Sequence, residues 1–204
     1  DIAKPNQPMS RLLQGEVGSG KTVVALASLL LTAVNGYQGA IMAPTEVLAE
    51  QHFINIRGLL GGTLNSSHND YKFTLNFADL ENPVTIGLLL GNFTQKRKNT
   101  IAKELADCQI DIIIGTHAII QPSLAIPNLA FAVTDEQHRF GVLQRTALRE
   151  KGKGPHILAM SATPIPRSLG LTVYGDLDIS TIRQLPPGRL PIKTKYVKPE
   201  QRNA

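Results

Sequence analysis

A single cysteine, Cys108, stands in the 204 residues, so no disulfide can close within the chain, and such usage fits a reducing compartment. Long hydrophobic runs are missing as well. The longest, Val23 to Val34, is interrupted by Ser28 and Thr32 and falls short of the roughly 20 apolar residues that a membrane-spanning helix needs. The opening stretch DIAKPNQPM has neither the basic start nor the apolar middle of a secretory signal. It also lacks an initiating methionine, so the chain is expected to begin inside a longer polypeptide. Histidine is sparse, and His52, His68 and His156 lie far apart without metal-ligand spacing. No chemistry is assigned to those three.

What is present describes an ordinary globular protein. Hydrophobic residues make up 42%, enough for a real core in a chain of one domain's length. Lys plus Arg is 21 against 16 for Asp plus Glu, a net charge of +5, which permits a polyanionic partner without requiring one. Short, nearly all-apolar runs at 11–14, 39–43, 85–91, 111–115, 131–135 and 156–162 alternate with helical patterns near 21–35, 46–60, 94–107, 140–150 and 166–172. That rhythm predicts an α/β domain with a doubly wound, mostly parallel sheet. The polar stretch 61–83 interrupts it. Its weak alternation YKFTLNF could make a hairpin strand, but it reads chiefly as a surface insertion. The proline-rich 185–204 reads as a linker leaving a lobe that occupies 1–184.

The first constellation with chemistry is GEVGSGKT, residues 15–22, which fits G-x-x-x-x-G-K-[ST]. Gly15, Gly18 and Gly20 let the backbone curl so that successive N–H groups, Ser19's among them, face phosphate oxygens. The apolar helix that follows adds its positive dipole end. Lys21 would reach the β and γ phosphates of a nucleotide such as ATP, and the Thr22 hydroxyl would ligate Mg²⁺. A strand before and a strong helix after supply the context the motif requires.

Hydrolysis also needs a carboxylate for magnesium and a group to orient water. Asp135 and Glu136 sit where the run FAVT ends, at the edge where α/β sheets gather ligands. Asp135 would hold Mg²⁺ through water, and Glu136 would polarise the attacking water. Ser161 and Thr163, in MSATPIPRSL, follow another apolar strand. Their hydroxyls could bond across the sheet to the segment 135–138, or could simply belong to a turn.

In order, GEVGSGKT, APTEVLAEQH, GTHAI, DEQH and SATP resemble the motifs of superfamily 2 helicases. With TDEQHRFGVLQR, YGDLDIS and LPPGRLPIKT added, the wording is similar to the RecG family of bacterial ATP-dependent DNA helicases. The resemblance covers nearly all of 1–60 and 84–195. It implies a RecA-like first motor lobe from a protein of the bacterial cytosol and nucleoid that remodels branched double-stranded DNA. It also implies that Lys21, Asp135, Glu136, Gln137 and His138 serve catalysis, with Thr22 and Asp135 at the metal. Ser161 and Thr163 would couple hydrolysis to movement. Pro44, Thr45, Glu46, Thr116 and His117 would touch a DNA strand, since each lies at a strand-to-helix junction offering N–H groups to phosphates.

Departures from the family wording are Glu16 in place of the usual Asp, LLLGN (88–92) in place of a Thr-Gly-Ser, and the insertion 61–83. The second motor lobe with its arginine finger and the wedge domain that grips branched DNA are expected elsewhere in the parent chain. This lobe alone is therefore expected to turn ATP over very slowly. Arg139, Arg145 and Arg167 read as salt-bridge or interface residues rather than a finger supplied in cis. The alternatives are a lobe like that of the transcription-repair coupling factor, an RNA helicase, or a nucleotide-gated binding module without turnover.

Overall fold

Strands that are apolar at every position must be covered on both faces, which a parallel sheet between helices provides. The computed structural model, which describes residues 8–61, 63–64, 71–77, 82–135, 147–152, 154–163 and 177–184, is built on such strands. In chain order the elements are β1 (Ser10–Gly15), α1 (Lys21–Val34), β2 (Gln38–Met42), α2 (Glu46–Leu60), β3 (Thr63–Leu64), β4 (Lys72–Leu75), β5 (Val84–Leu89), α3 (Gln95–Ala106), β6 (Ile112–Gly115), a 3₁₀ turn (His117–Ile120), β7 (Leu129–Thr134), β8 (His156–Ser161) and β9 (Asp178–Ile182). The strands form one sheet in the order β3-β4-β5-β6-β2-β7-β8-β1-β9. Every pairing from β5 to β9 is parallel, and only β3 and β4 run antiparallel to their neighbours. The doubly wound, mostly parallel α/β class expected from the sequence is the one observed.

The core follows from the pattern. β2 and β6 are buried at every position. α1 turns Ala25, Leu26, Leu29 and Ala33 inward, and its close approach over β2 needs a glycine there, because a Cβ on Gly39 would overlap the Leu29 side chain. α2 buries Ala49, Phe53 and Ile56, while α3 buries Ile101 and Leu105. One polar residue in this interior, Gln38, is fully used. Its amide donates to the carbonyls of Leu105 and Ile110, and its oxygen accepts the Asn128 N–H.

Two elements differ from the sequence reading. The stretch read as a surface insertion contributes β4, whose Phe73 and Leu75 are buried, with Tyr71 just before it. Alternation in YKFTLNF is therefore a half-buried strand, extending the sheet through antiparallel pairs to β5 and β3. At the other end β9, DISTI, was not anticipated. Among the described residues it is the edge strand, paired in parallel with β1 alone, and polar residues are tolerated at such a position. Of the helix expected at 140–150, residues 147–150 are described and helical. The helix expected at 166–172 and the linker 185–204 lie outside the described residues. Among the described residues, no helix is long and apolar enough to cross a membrane.

Candidate functional site

Because the central strands are parallel, their carboxyl ends share one rim, and the register fixes who stands beside whom. Gln14 of β1 lies opposite Ser161 of β8, Thr134 of β7 opposite Ala159 of β8, and Met42 of β2 opposite both Thr134 and Gly115 of β6. The glycine-rich loop after β1 and Asp135 after β7 are thus separated by the single strand β8. At about 4.8 Å per strand, they stand roughly 10 Å apart along the rim.

The loop has the shape of a phosphate cradle. Gly18 and Gly20 take φ of 81° and 92°, left-handed values that side chains rarely adopt, and these turn the backbone sharply into α1. α1 begins with no side-chain cap and no acidic residue in its first turn. α2 and α3 are instead capped by Thr45 and Thr94. An uncapped helix start of 14 residues offers N–H groups and positive dipole to an anion. The Ser19 hydroxyl is buried there without a hydrogen-bond partner. Lys21 arches back over the loop, its Nζ donating to the carbonyls of Gly15 at 2.7 Å and Glu16 at 2.9 Å. These are neutral acceptors, and an anionic phosphate oxygen makes a bond about twice as strong. Thr22 is half-buried in α1's first turn. The donor set fits a nucleotide triphosphate, with Thr22 and Asp135 as the hydroxyl and carboxylate that magnesium prefers.

Asp135 is met from two sides by the segment 42–52, which spans the second motif. Its backbone N–H donates to Met42 O at 3.0 Å, and its Oδ2 lies 2.8 Å from His52 Nε2 on α2. The two side chains are 16% and 12% exposed, so water screens the pair little. His52 has no metal-ligand spacing in the sequence, and the fold seats it against Asp135. Spacing alone could not find it, since 83 residues separate the partners. Glu136, Gln137 and His138 lie outside the described residues, as do Arg139, Arg145 and Arg167.

Ser161 is fully buried at the end of β8. Its hydroxyl lies 3.0 Å from Thr163 Oγ1 and accepts the Thr163 N–H at 3.2 Å. The pair closes a small turn on itself, and it does so beside Gln14, between the loop and Asp135.

The remaining sequence candidates sit on the other half of the rim, after β2 and β6. Pro44 is half-buried and Thr45 exposed. The α2 start is less open than expected: Thr45 Oγ1 accepts the Leu48 N–H at 3.3 Å, and Glu46 places a carboxylate in the first turn. Glu46 Oε1 accepts the Asn92 N–H at 2.9 Å, which ties this junction to the loop after β5. Beyond β6 the expected helix is a single 3₁₀ turn, too short to sum a useful dipole. Thr116 is only 2% exposed, whereas His117 is open to solvent. A feature the sequence reading did not single out stands next to them. α3 opens on the same rim after β5, with Lys96, Arg97 and Lys98 in its first turn. The signal was the run QKRK, read only as part of a helix.

The DEAD/DEAH box helicase family matches residues 3–171. The ATP-dependent DNA helicase RecG of Mycobacterium bovis is 49% identical over 195 residues, which is 94% of this chain and 25% of that protein. RecG of Aquifex aeolicus is 48% identical over 190 residues, 92% of this chain and 22% of that protein. A solved structure of RecG bound to a three-way DNA junction aligns with a TM-score of 0.69 at 40% identity, covering 94% of this chain and 23% of that one. The chain spans about a quarter of the length of these relatives. Cradle, sheet order and family match agree, and this RecA-like lobe belongs to the DEAD/DEAH box helicase family.

Proposed function

We propose that the chain is the ATP-binding motor lobe of a RecG-type DNA helicase or translocase. In this reading it drives the remodelling of branched duplex DNA, such as stalled forks and Holliday junctions, in recombination and repair. The observation that carries the proposal is the shared rim: the Lys21 cradle after β1 and the Asp135 carboxylate after β7, with Ser161 on the strand between them.

Each residue then has a task. Backbone N–H groups of Gly18, Ser19 and Gly20, with the Lys21 ammonium, hold the phosphates. Thr22 and Asp135 would hold Mg²⁺, which would supply neutralisation of the phosphate charge. Glu136 orients water and takes its proton, while Gln137, His138, Ser161 and Thr163 relay the state of the nucleotide to the rest of the motor. On the other half of the rim, Pro44, Thr45 and His117 touch a DNA strand by its phosphates, so binding is blind to sequence. Thr116 joins that contact through its backbone, since its side chain is buried. Glu46, being anionic and engaged by Asn92, supports the contact by bracing the loop rather than by meeting a phosphate. A second RecA-like lobe and a wedge domain of the parent chain complete the machine.

Two substitutions in the full-length protein test this reading. Lys21→Ala is expected to abolish measurable Mg-ATP binding by calorimetry. Glu136→Gln is expected to keep ATP and lose DNA-stimulated turnover. A Lys21→Ala protein that binds ATP like the wild type would sink the assignment of the cradle. Turnover that survives Glu136→Gln would leave only a nucleotide-gated binding module.

A further inference from the structure

The rim of this sheet has two halves that meet at one seam. β7, β8 and β1 end in the nucleotide and coupling residues, while β6 and β2 end in the residues assigned to DNA. The seam runs between β2 and β7, and Asp135 sits on it. It is gripped there by both ends of one segment. Met42 O, at the end of β2, accepts the Asp135 N–H, and His52, in the middle of α2, meets its side chain. Between these two grips lie Pro44 and Thr45, the strand-contacting corner.

We infer that His52 is a positioning residue for Asp135 and the link through which occupancy of the α2 start by DNA reaches the magnesium carboxylate. The inference rests on the motor-lobe reading given above. A carboxylate only accepts hydrogen bonds, so Nε2 carries the proton and donates to Oδ2. With both side chains largely shielded from water, this bond fixes the carboxylate's rotamer in the way that partners of metal ligands fix metal geometry. α2 can transmit displacement because it is stiff and well ended. Thr45 caps its start, Gly61 closes it in the left-handed conformation, and Ala49, Phe53 and Ile56 seat it on the sheet. His52 lies about two turns on from Thr45, on the flank of that buried face. A shift of the α2 start therefore moves the imidazole with it, and Asp135 follows.

The bland possibility is that His52 merely fills space between helix and sheet. Manganese separates the two, because its electron paramagnetic resonance signal reports binding without any turnover. In the full-length protein, Mn²⁺ affinity is measured on the ATP complex of the wild type, His52→Ala and His52→Gln. Each is measured with and without a three-way duplex junction, with thermal melting as a check on folding. His52→Ala is expected to weaken Mn²⁺ binding by roughly 10- to 100-fold, the usual cost of losing a partner of a metal ligand. ATP affinity without metal should stay unchanged. His52→Gln, which can still donate to the carboxylate, should recover most of the loss. In the wild type the junction should tighten Mn²⁺ binding, and His52→Ala should remove that gain.

Equal Mn²⁺ affinity in wild type and His52→Ala overturns the positioning role. A junction effect that survives His52→Ala overturns the link. A wild type that binds neither ATP nor Mn-ATP overturns the motor-lobe reading itself, and the inference falls with it.

Discussion

His156, at the start of β8, is a residue whose protonation the fold opposes. Its Nδ1 accepts the Met9 N–H at 2.8 Å, and burial holds its pKa below the usual 6.5. The unfolded chain therefore binds more protons than the folded one as pH falls through 6.5. His156 stabilises the fold fully above that value and loses its contribution as acid carries the pH down toward the lowered folded pKa. The urea midpoint of the full-length protein should drop between pH 7 and pH 5. His156→Asn, whose carbonyl can keep the Met9 bond but cannot titrate, should make that drop shallower. An unchanged pH slope in the Asn variant would show that other groups set it. At this same scale the site was only half legible in the sequence. Gly15 to Thr22 could be read because the cradle is built from consecutive residues, whose types and spacing are its mechanism. His52 could not, because its meaning comes from a contact across 83 residues that only the packing of α2 on the sheet creates.

At the scale of elements, β4 shows what burial adds to a polar neighbourhood. Phe73 is completely buried and meets Phe53 of α2 edge-on, with ring centres 5.0 Å apart at 62°. Phe73→Ala should cost about 3–5 kcal/mol by urea denaturation, the range for large core deletions. Asn76→Ala, exposed just past the same strand, should stay within about 0.5 kcal/mol. Equal small effects would return β4 to the status of surface padding. The central strands were legible because both of their faces are apolar, which leaves one architecture for them. β4 and β9 were not, and for opposite reasons. β4 alternates over only four residues, LysPheThrLeu, inside a stretch rich in Asn and Ser. β9 is the edge strand among the described residues, and its composition, Asp-Ile-Ser-Thr-Ile, carries no period of two.

For the molecule as a whole, the net charge of +5 matters less than where the charge stands. α3 violates the dipole rule by opening with Lys96, Arg97 and Lys98, where each cation costs up to roughly 1 kcal/mol. Arg97 has an internal use, its guanidinium lying 4.8 Å from the Phe93 ring centre and 5.5 Å from that of Tyr71. Lys98 Nζ donates to Gly91 O at 2.5 Å, on the loop that Glu46 braces, and Lys96 is exposed. A local cost kept on the half of the rim proposed for DNA is best accounted for by an anionic partner there. On this argument Lys96 and Lys98 add two phosphate contacts to those of Pro44, Thr45 and His117. Each phosphate neutralised by a lysine or arginine contributes about 0.9 to the slope of log affinity against log salt, whereas uncharged contacts add nothing to it. The double change Lys96→Gln with Lys98→Gln should therefore lower that slope by about 1.8 for duplex DNA, and weaken binding alike for all sequences. Lys103→Gln removes one charge of the same kind from the last turn of α3, at the opposite edge of the sheet, and should leave the slope alone. Fluorescence anisotropy of the full-length protein on a labelled junction, taken across a salt series, reads all three slopes. A double variant whose slope matches the wild type would remove the β5 end from the DNA face and confine the contact to the corners after β2 and β6.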